Sequence, residues 1–169
     1  PAVCEKGLLV LDCSTYGKSG HAARNEGINA LYKATETIEA LRTFEFPLAS
    51  DLLGKVKLTV TQIQAGTQHN VIPDRCDFVV DVRTNDRYTN AEAVEILKSR
   101  FPEVEITPRS LRLNSSAISM QHPFVRRALL AGYEPFGSPT LSDQALMPFP
   151  SVKMGPGDSS RSHTADEYI

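Results

Sequence analysis

The chain has 169 residues, a net charge of −2 and an apolar share of 41%. That is enough apolar material for a core, and a charged share of 22% is not that of a disordered chain. With no basic stripe and no apolar run near the length of a membrane span, nucleic acid and membrane are not expected partners.

The length accommodates one domain, or one small domain and part of another. Pro1-Ala2-Val3-Cys4-Glu5-Lys6 has no signal-peptide layout. Cys4, Cys13 and Cys76 are odd in number and form no Cys-x-x-Cys pair. They read as buried, reduced thiols in a cytoplasmic protein, not as metal ligands or a disulfide.

In chain order, residues 7–16 read as a mostly buried strand that Gly17-Lys18-Ser19-Gly20 breaks. A helix follows, with Asn25 as N-cap and Ile28, Leu31, Thr35, Ile38 and Leu41 as its stripe. Pro47 stops any continuation. Residues 55–64 alternate, with Val56, Leu58 and Val60 on one face. Residues 75–83 alternate again, with Cys76, Phe78, Val80 and Val82 opposite Asp77, Val79, Asp81 and Arg83. The segment between, 65–74, is expected to be a loop, long for a hairpin. A second helix spans about 90–100, with Thr89 and Glu92 at capping-box spacing and Pro102 beyond its end. Val104 and Ile106 mark a fourth strand.

The order β-α-β-β-α-β over residues 1–113 predicts an α+β, ferredoxin-like layer: an antiparallel sheet with two helices on one face. The other face, or an edge strand, is left for a partner. After Asn114-Ser115-Ser116 come a helix at 122–131 with Pro123 in its first turn, then Ser142-Asp143, then a brief strand at 151–154. Residues 114–169 are too few to close a core alone. The chain is therefore expected to be a piece of a larger protein, holding part of an active site.

Chemistry-bearing residues sit in the loops. His21, at a strand-to-helix turn, suits either a donor to a developing oxyanion or a plain polar loop residue. Asn70, before Val71-Ile72-Pro73, suits either a substrate carboxylate or amide, or a turn. Arg83 can grip a carboxylate or stand idle at a strand end. His122 reads as a surface or capping residue. His163, six residues after Gly157 in Gly155-Pro156-Gly157, is the strongest metal-ligand candidate. One histidine does not make a zinc site, which takes three or four ligands.

These pieces, in order, resemble the zinc-dependent aminoacylase family, which includes acetylornithine deacetylase, succinyl-diaminopimelate desuccinylase and carboxypeptidase-type peptidases. The matching stretches are Glu5-Lys6-Gly7 into Leu8–Asp12, Gly17-Lys18-Ser19-Gly20-His21-Ala22-Ala23-Arg24, Asn70-Val71-Ile72-Pro73, Asp81-Val82-Arg83, Ser142-Asp143, and Gly155-Pro156-Gly157 through His163 to Glu167. The ending looks most like the acetylornithine deacetylase branch.

The resemblance implies a lid and dimerisation domain at 1–113 and an incomplete α/β catalytic segment at 114–169. It implies removal of an acetyl or succinyl group from an N-acyl amino acid such as N-acyl-ornithine. Two zinc ions, or cobalt or manganese, would activate water, with most ligands and the general base on an absent catalytic half. The isolated chain is then expected to be inactive. His163 resembles a zinc ligand. His21 resembles the lid histidine that reaches into the partner subunit's site, in a homodimer formed through the lid. Asn70, Arg83, Ser142, Asp143 and Gly157 resemble substrate-holding residues, and Glu167 a supporting carboxylate. Two other readings are a stand-alone ferredoxin-like module that binds amino acids or dimerises, and a non-catalytic relative.

Overall fold

A computed structural model describes residues 1–155. Its elements are β1 (Ala2–Glu5), β2 (Leu9–Tyr16), β3 (Gly20–His21), α1 (Ala30–Thr43), β4 (Lys57–Ala65), β5 (Val71–Ile72), β6 (Arg75–Arg83), α2 (Asn90–Arg100), β7 (Glu105–Pro108), β8 (Ser116–Ala117), α3 (Pro123–Leu130), β9 (Phe136–Ser138) and a 3-10 turn, Asp143–Leu146.

The main sheet has the order β4-β6-β2-β7, with every neighbouring pair antiparallel. This is the ferredoxin-like arrangement expected from the alternating strands. Strand β6 behaves as its sequence dictates: Cys76, Phe78, Val80 and Val82 are buried. They meet Leu9, Leu11 and Cys13 of β2 and a helix layer of Ala30, Ala34, Leu41, Ala93, Val94 and Leu97. The N-terminus of α2 carries the expected capping box, with Thr89 and Glu92 each bonded to the other's backbone. Phe44, Phe46, Phe101 and Tyr88 stack edge-to-face and close the core beyond the helix ends.

Four local expectations are corrected. The N-cap of α1 is Asn29, not Asn25. Lys18 and Ile28 bridge through their backbones, so residues 25–28 belong to a closed loop. The buried stripe is accordingly Ala30, Ala34, Thr37 and Leu41, while Ile28 is half exposed and Thr35 exposed. Segment 65–74 is not all loop: β5 pairs with β3. No strand covers 151–154; Lys153 only bridges to Ala2.

Strand β1 pairs with β8 and β9 in a second, three-stranded sheet. The ferredoxin-like layer itself thus runs from β2 to β7. A small second core gathers Val3, Cys4, Leu53 and Val125. The chain crosses between the sheets twice, outward at Lys6–Leu8 and back at Leu113–Ser115, with the two crossings side by side. Leu8 N–H donates to the Leu113 carbonyl (2.9 Å) and Gly7 N–H to the Thr84 carbonyl (3.0 Å). A Cβ on Gly7 would lie 2.3 Å from Thr84 Oγ1 and 2.6 Å from Ser115 N, so only glycine fits this crossing. Buried Asn90 clamps both passes, its Nδ2 donating to the carbonyls of Leu8 (3.1 Å) and Leu113 (3.0 Å).

Candidate functional site

The sequence-predicted substrate and catalytic residues that the structure describes fall into two groups at opposite ends of β2. At the far end, residues 17–28 form an arm. Gly17 N–H donates to the Asp74 carbonyl (2.8 Å), and the Lys18–Ile28 bridge shuts the base. Gly27 packs so closely on Ile72 that a Cβ would come within 2.8 Å of Ile72 Cδ1.

His21 and Asn70 meet on this arm. His21 pairs with Val71, and Ala22 N–H donates to the Asn70 carbonyl (2.9 Å). Both residues are exposed. Ala23 N–H donates to His21 Nδ1 at 3.1 Å. With Nδ1 accepting, Nε2 is the ring nitrogen left to donate. The arm therefore presents an N–H donor, the property an oxyanion contact needs.

Arg83 lies at the other end of β6, beside the crossings. Asp81, on the same strand face, grips it through Nε (2.7 Å) and Nη2 (3.0 Å). That pairing leaves the Nη1 edge for a further carboxylate.

Ser142 and Asp143 also lie on the crossing side, at the start of the 3-10 turn. Ser142 caps it, its Oγ accepting from Gln144 N–H (3.4 Å), and Asp143 is exposed. Glu5, fully buried, accepts at Oε2 from Ser142 N–H (2.9 Å) and Ser142 Oγ–H (2.6 Å). An open groove of about 420 Å³ runs beside the turn, lined by Asn114–Ala117 and by Gln144–Ser151 without Leu146.

Gly157, His163 and Glu167 lie outside the described residues. Among the described residues, no group of three or more His, Cys, Asp or Glu side chains gathers as a metal site would require. His122 caps α3, its Nδ1 accepting from Phe124 N–H (3.3 Å). Burial pushes the Cys4 thiol up to about 11 and the Cys13 thiol to about 12, so neither serves as a nucleophile near neutral pH.

The sheet face away from the helices is a ladder of paired charges. Asp77 takes Ser14 Oγ–H (2.6 Å) and Arg75 Nε (2.8 Å), Asp12 takes Arg109 (2.8 Å), and the Tyr16 hydroxyl donates to Glu105. The Ser14 hydrogen bond, with Arg75 behind it, holds the Asp77 carboxyl below the usual carboxylate range.

Two functional features escaped the sequence reading: Asp81 orienting Arg83, and Glu5 holding Ser142. The first carries a signal in the Asp-x-Arg spacing, which puts both side chains on one strand face. The second partner pair lies 137 residues apart, so only an acid directly after the apolar run Ala2-Val3-Cys4 hinted at it.

Residues 3–106 match the peptidase dimerisation domain. The chain belongs to that family. It is 25% identical over 136 residues to succinyl-diaminopimelate desuccinylase 1 of Alteromonas mediterranea, covering 78% of this chain and 35% of that protein. It is 28% identical over 187 aligned positions to a protein of Aeropyrum pernix described as a LysW-lysine/LysW-ornithine hydrolase, covering 99% and 48%. The chain thus spans half or less of the curated relatives it matches. In fold it is similar to a tripeptidase of Staphylococcus aureus (TM-score 0.63, 16% identity, covering 86% of this chain and 41% of that one). It is similarly close to aminopeptidase PepT of Bacillus cereus (TM-score 0.61, 14% identity, 86% and 42%).

Proposed function

We propose that this chain is the lid, with an adjoining piece of catalytic domain, of a metal-dependent amidohydrolase. That enzyme removes an acetyl or succinyl group from an N-acyl amino acid of the ornithine type. The observation that carries the reading is the His21 arm: a glycine-closed loop offering an Nε2–H donor beside Asn70, on a dimerisation domain.

The same geometry supports action across a homodimer. β2 runs eight residues from the crossing to the arm, about 24 Å of extended strand. His21 therefore stands remote from Ser142 of its own chain, which supports a role in a partner's site. Among the described residues, β4 forms one edge of the sheet, and a sheet edge offers backbone groups for such a contact.

In the reaction, His21 Nε2–H donates to the acyl oxygen as negative charge develops there. Asn70 holds the acyl or amide group, and the free Nη1 edge of Arg83 takes the substrate carboxylate. Ser142 and Asp143 contact the substrate from the crossing side, and Gly157 is assigned to substrate binding by its sequence alone. Two zinc ions, or cobalt or manganese, would activate the attacking water. The described residues do not form that centre; His163 is the one ligand assigned to this chain, and the rest with the general base belong to a catalytic half. A cytoplasmic setting is part of the same proposal.

The experiment is metal content together with hydrolysis of N-acetyl- and N-succinyl-ornithine by the whole protein. Bound metal with turnover of either substrate supports the reading. A folded protein with neither would favour a binding or dimerisation module.

A further inference from the structure

A carboxylate with no exposure at all needs a reason, and Glu5 has two. Its Oε2 holds Ser142 through both the backbone N–H and the hydroxyl. Its Oε1 lies 2.6 Å from Lys153 Nζ, an ion-pair approach without the direction of a hydrogen bond. Lys153 is itself fixed: it exchanges backbone hydrogen bonds with Ala2 (2.9 and 3.1 Å), and its Nζ reaches Ser138 Oγ at 3.3 Å. Glu5 ends β1, whose neighbours are β8 and β9, and its carbonyl accepts from Ser115 Oγ–H (2.6 Å) at the returning crossing.

We infer that Glu5 is a positioning residue: one buried carboxylate that sets the Ser142–Asp143 turn, expected to meet substrate, through one oxygen while Lys153 holds the other. The inference rests on the proposed hydrolase reading for what that turn binds, but the geometry of the anchor does not depend on it. A buried ion pair alone adds little stability over apolar side chains of like volume. What an apolar pair cannot do is accept two hydrogen bonds from Ser142. The anchor also sits where the crossing returns, so the turn and the lid share one fixed point.

The test separates positioning from bulk stability with two double variants of the whole protein, read with N-acetylornithine. Glu5→Leu with Lys153→Met removes both charges and the acceptor. It is expected to stay folded with a modestly lower Tm, since Ser142 loses its acceptor, to raise KM about tenfold with kcat within about threefold, and to speed hydrogen exchange at the Ser142 amide. Glu5→Gln with Lys153→Met restores an amide oxygen free to accept from Ser142. It is expected to return KM and exchange toward the parent. The inference is overturned if the two variants behave alike, or if Ser142 exchange matches the parent in both. Absence of turnover in the parent itself would strike the hydrolase reading instead, and the exchange comparison would still decide the role of Glu5.

Discussion

Asn90→Ala is the perturbation that tests most sharply how the two sheets are joined. The side chain has no solvent exposure. Its Nδ2 donates to the Leu8 and Leu113 carbonyls (3.1 and 3.0 Å), and its Oδ1 accepts from Thr84 Oγ1–H (2.9 Å). Three such bonds contribute about 1 kcal/mol each, and truncation also strands the buried Thr84 hydroxyl, so the loss should be about 3–4 kcal/mol. Leu113 limits the damage, because its carbonyl still receives Leu8 N–H at 2.9 Å. For a chain of this size that is a fall of about 6–15 °C in Tm. Urea unfolding should show a lower midpoint with an unchanged slope. Thr84→Val, which removes one of the three bonds, should cost about 1 kcal/mol. An Asn90→Ala loss below about 1 kcal/mol, or equal losses for both variants, would refute the clamp.

Gly27→Ala should loosen the arm by about 1–3 kcal/mol, since the new Cβ meets Ile72 Cδ1 at 2.8 Å and the Lys18 carbonyl at 2.9 Å; faster hydrogen exchange at residues 20–22 reports it. His21→Ala in the whole protein should lower kcat by about 10²–10³-fold while metal content stays constant. Asp77→Asn carries a pH signature. The Asp77 carboxyl is held below its ordinary value, so its contribution is full above the unfolded pKa and fades as pH falls through the folded one. The variant should melt below the parent at pH 7 and converge with it in strong acid, as a Tm series against pH would show.

What the sequence disclosed and what it hid divide along contact range. The alternation of Cys76, Phe78, Val80 and Val82 and the Thr89–Glu92 box are local signals, and both appear as read. The start of α1 was misplaced because Ile28 is held by Lys18, ten residues back, rather than by the helix. β1 was invisible as a separate strand, since its partners are Ser116–Ala117 and Phe136–Ser138. At the site, the loop character of His21 and Asn70 was legible, but their pairing through β3 and β5 spans fifty residues. Arg83 was legible as a strand-end cation; its orientation by Asp81 followed only from side-chain geometry.

Subunit complementation tests the central claim, that the lid serves its partner's site, most directly. One whole-protein variant carries His21→Ala and another His163→Ala, and the two are co-expressed and mixed. If His21 acts across the dimer, mixed dimers regain one complete site, and activity should rise from near zero to about a quarter of the parent. Should the mixture remain as inactive as either variant alone, although mixed dimers form, His21 does not act in the partner's site and the account fails.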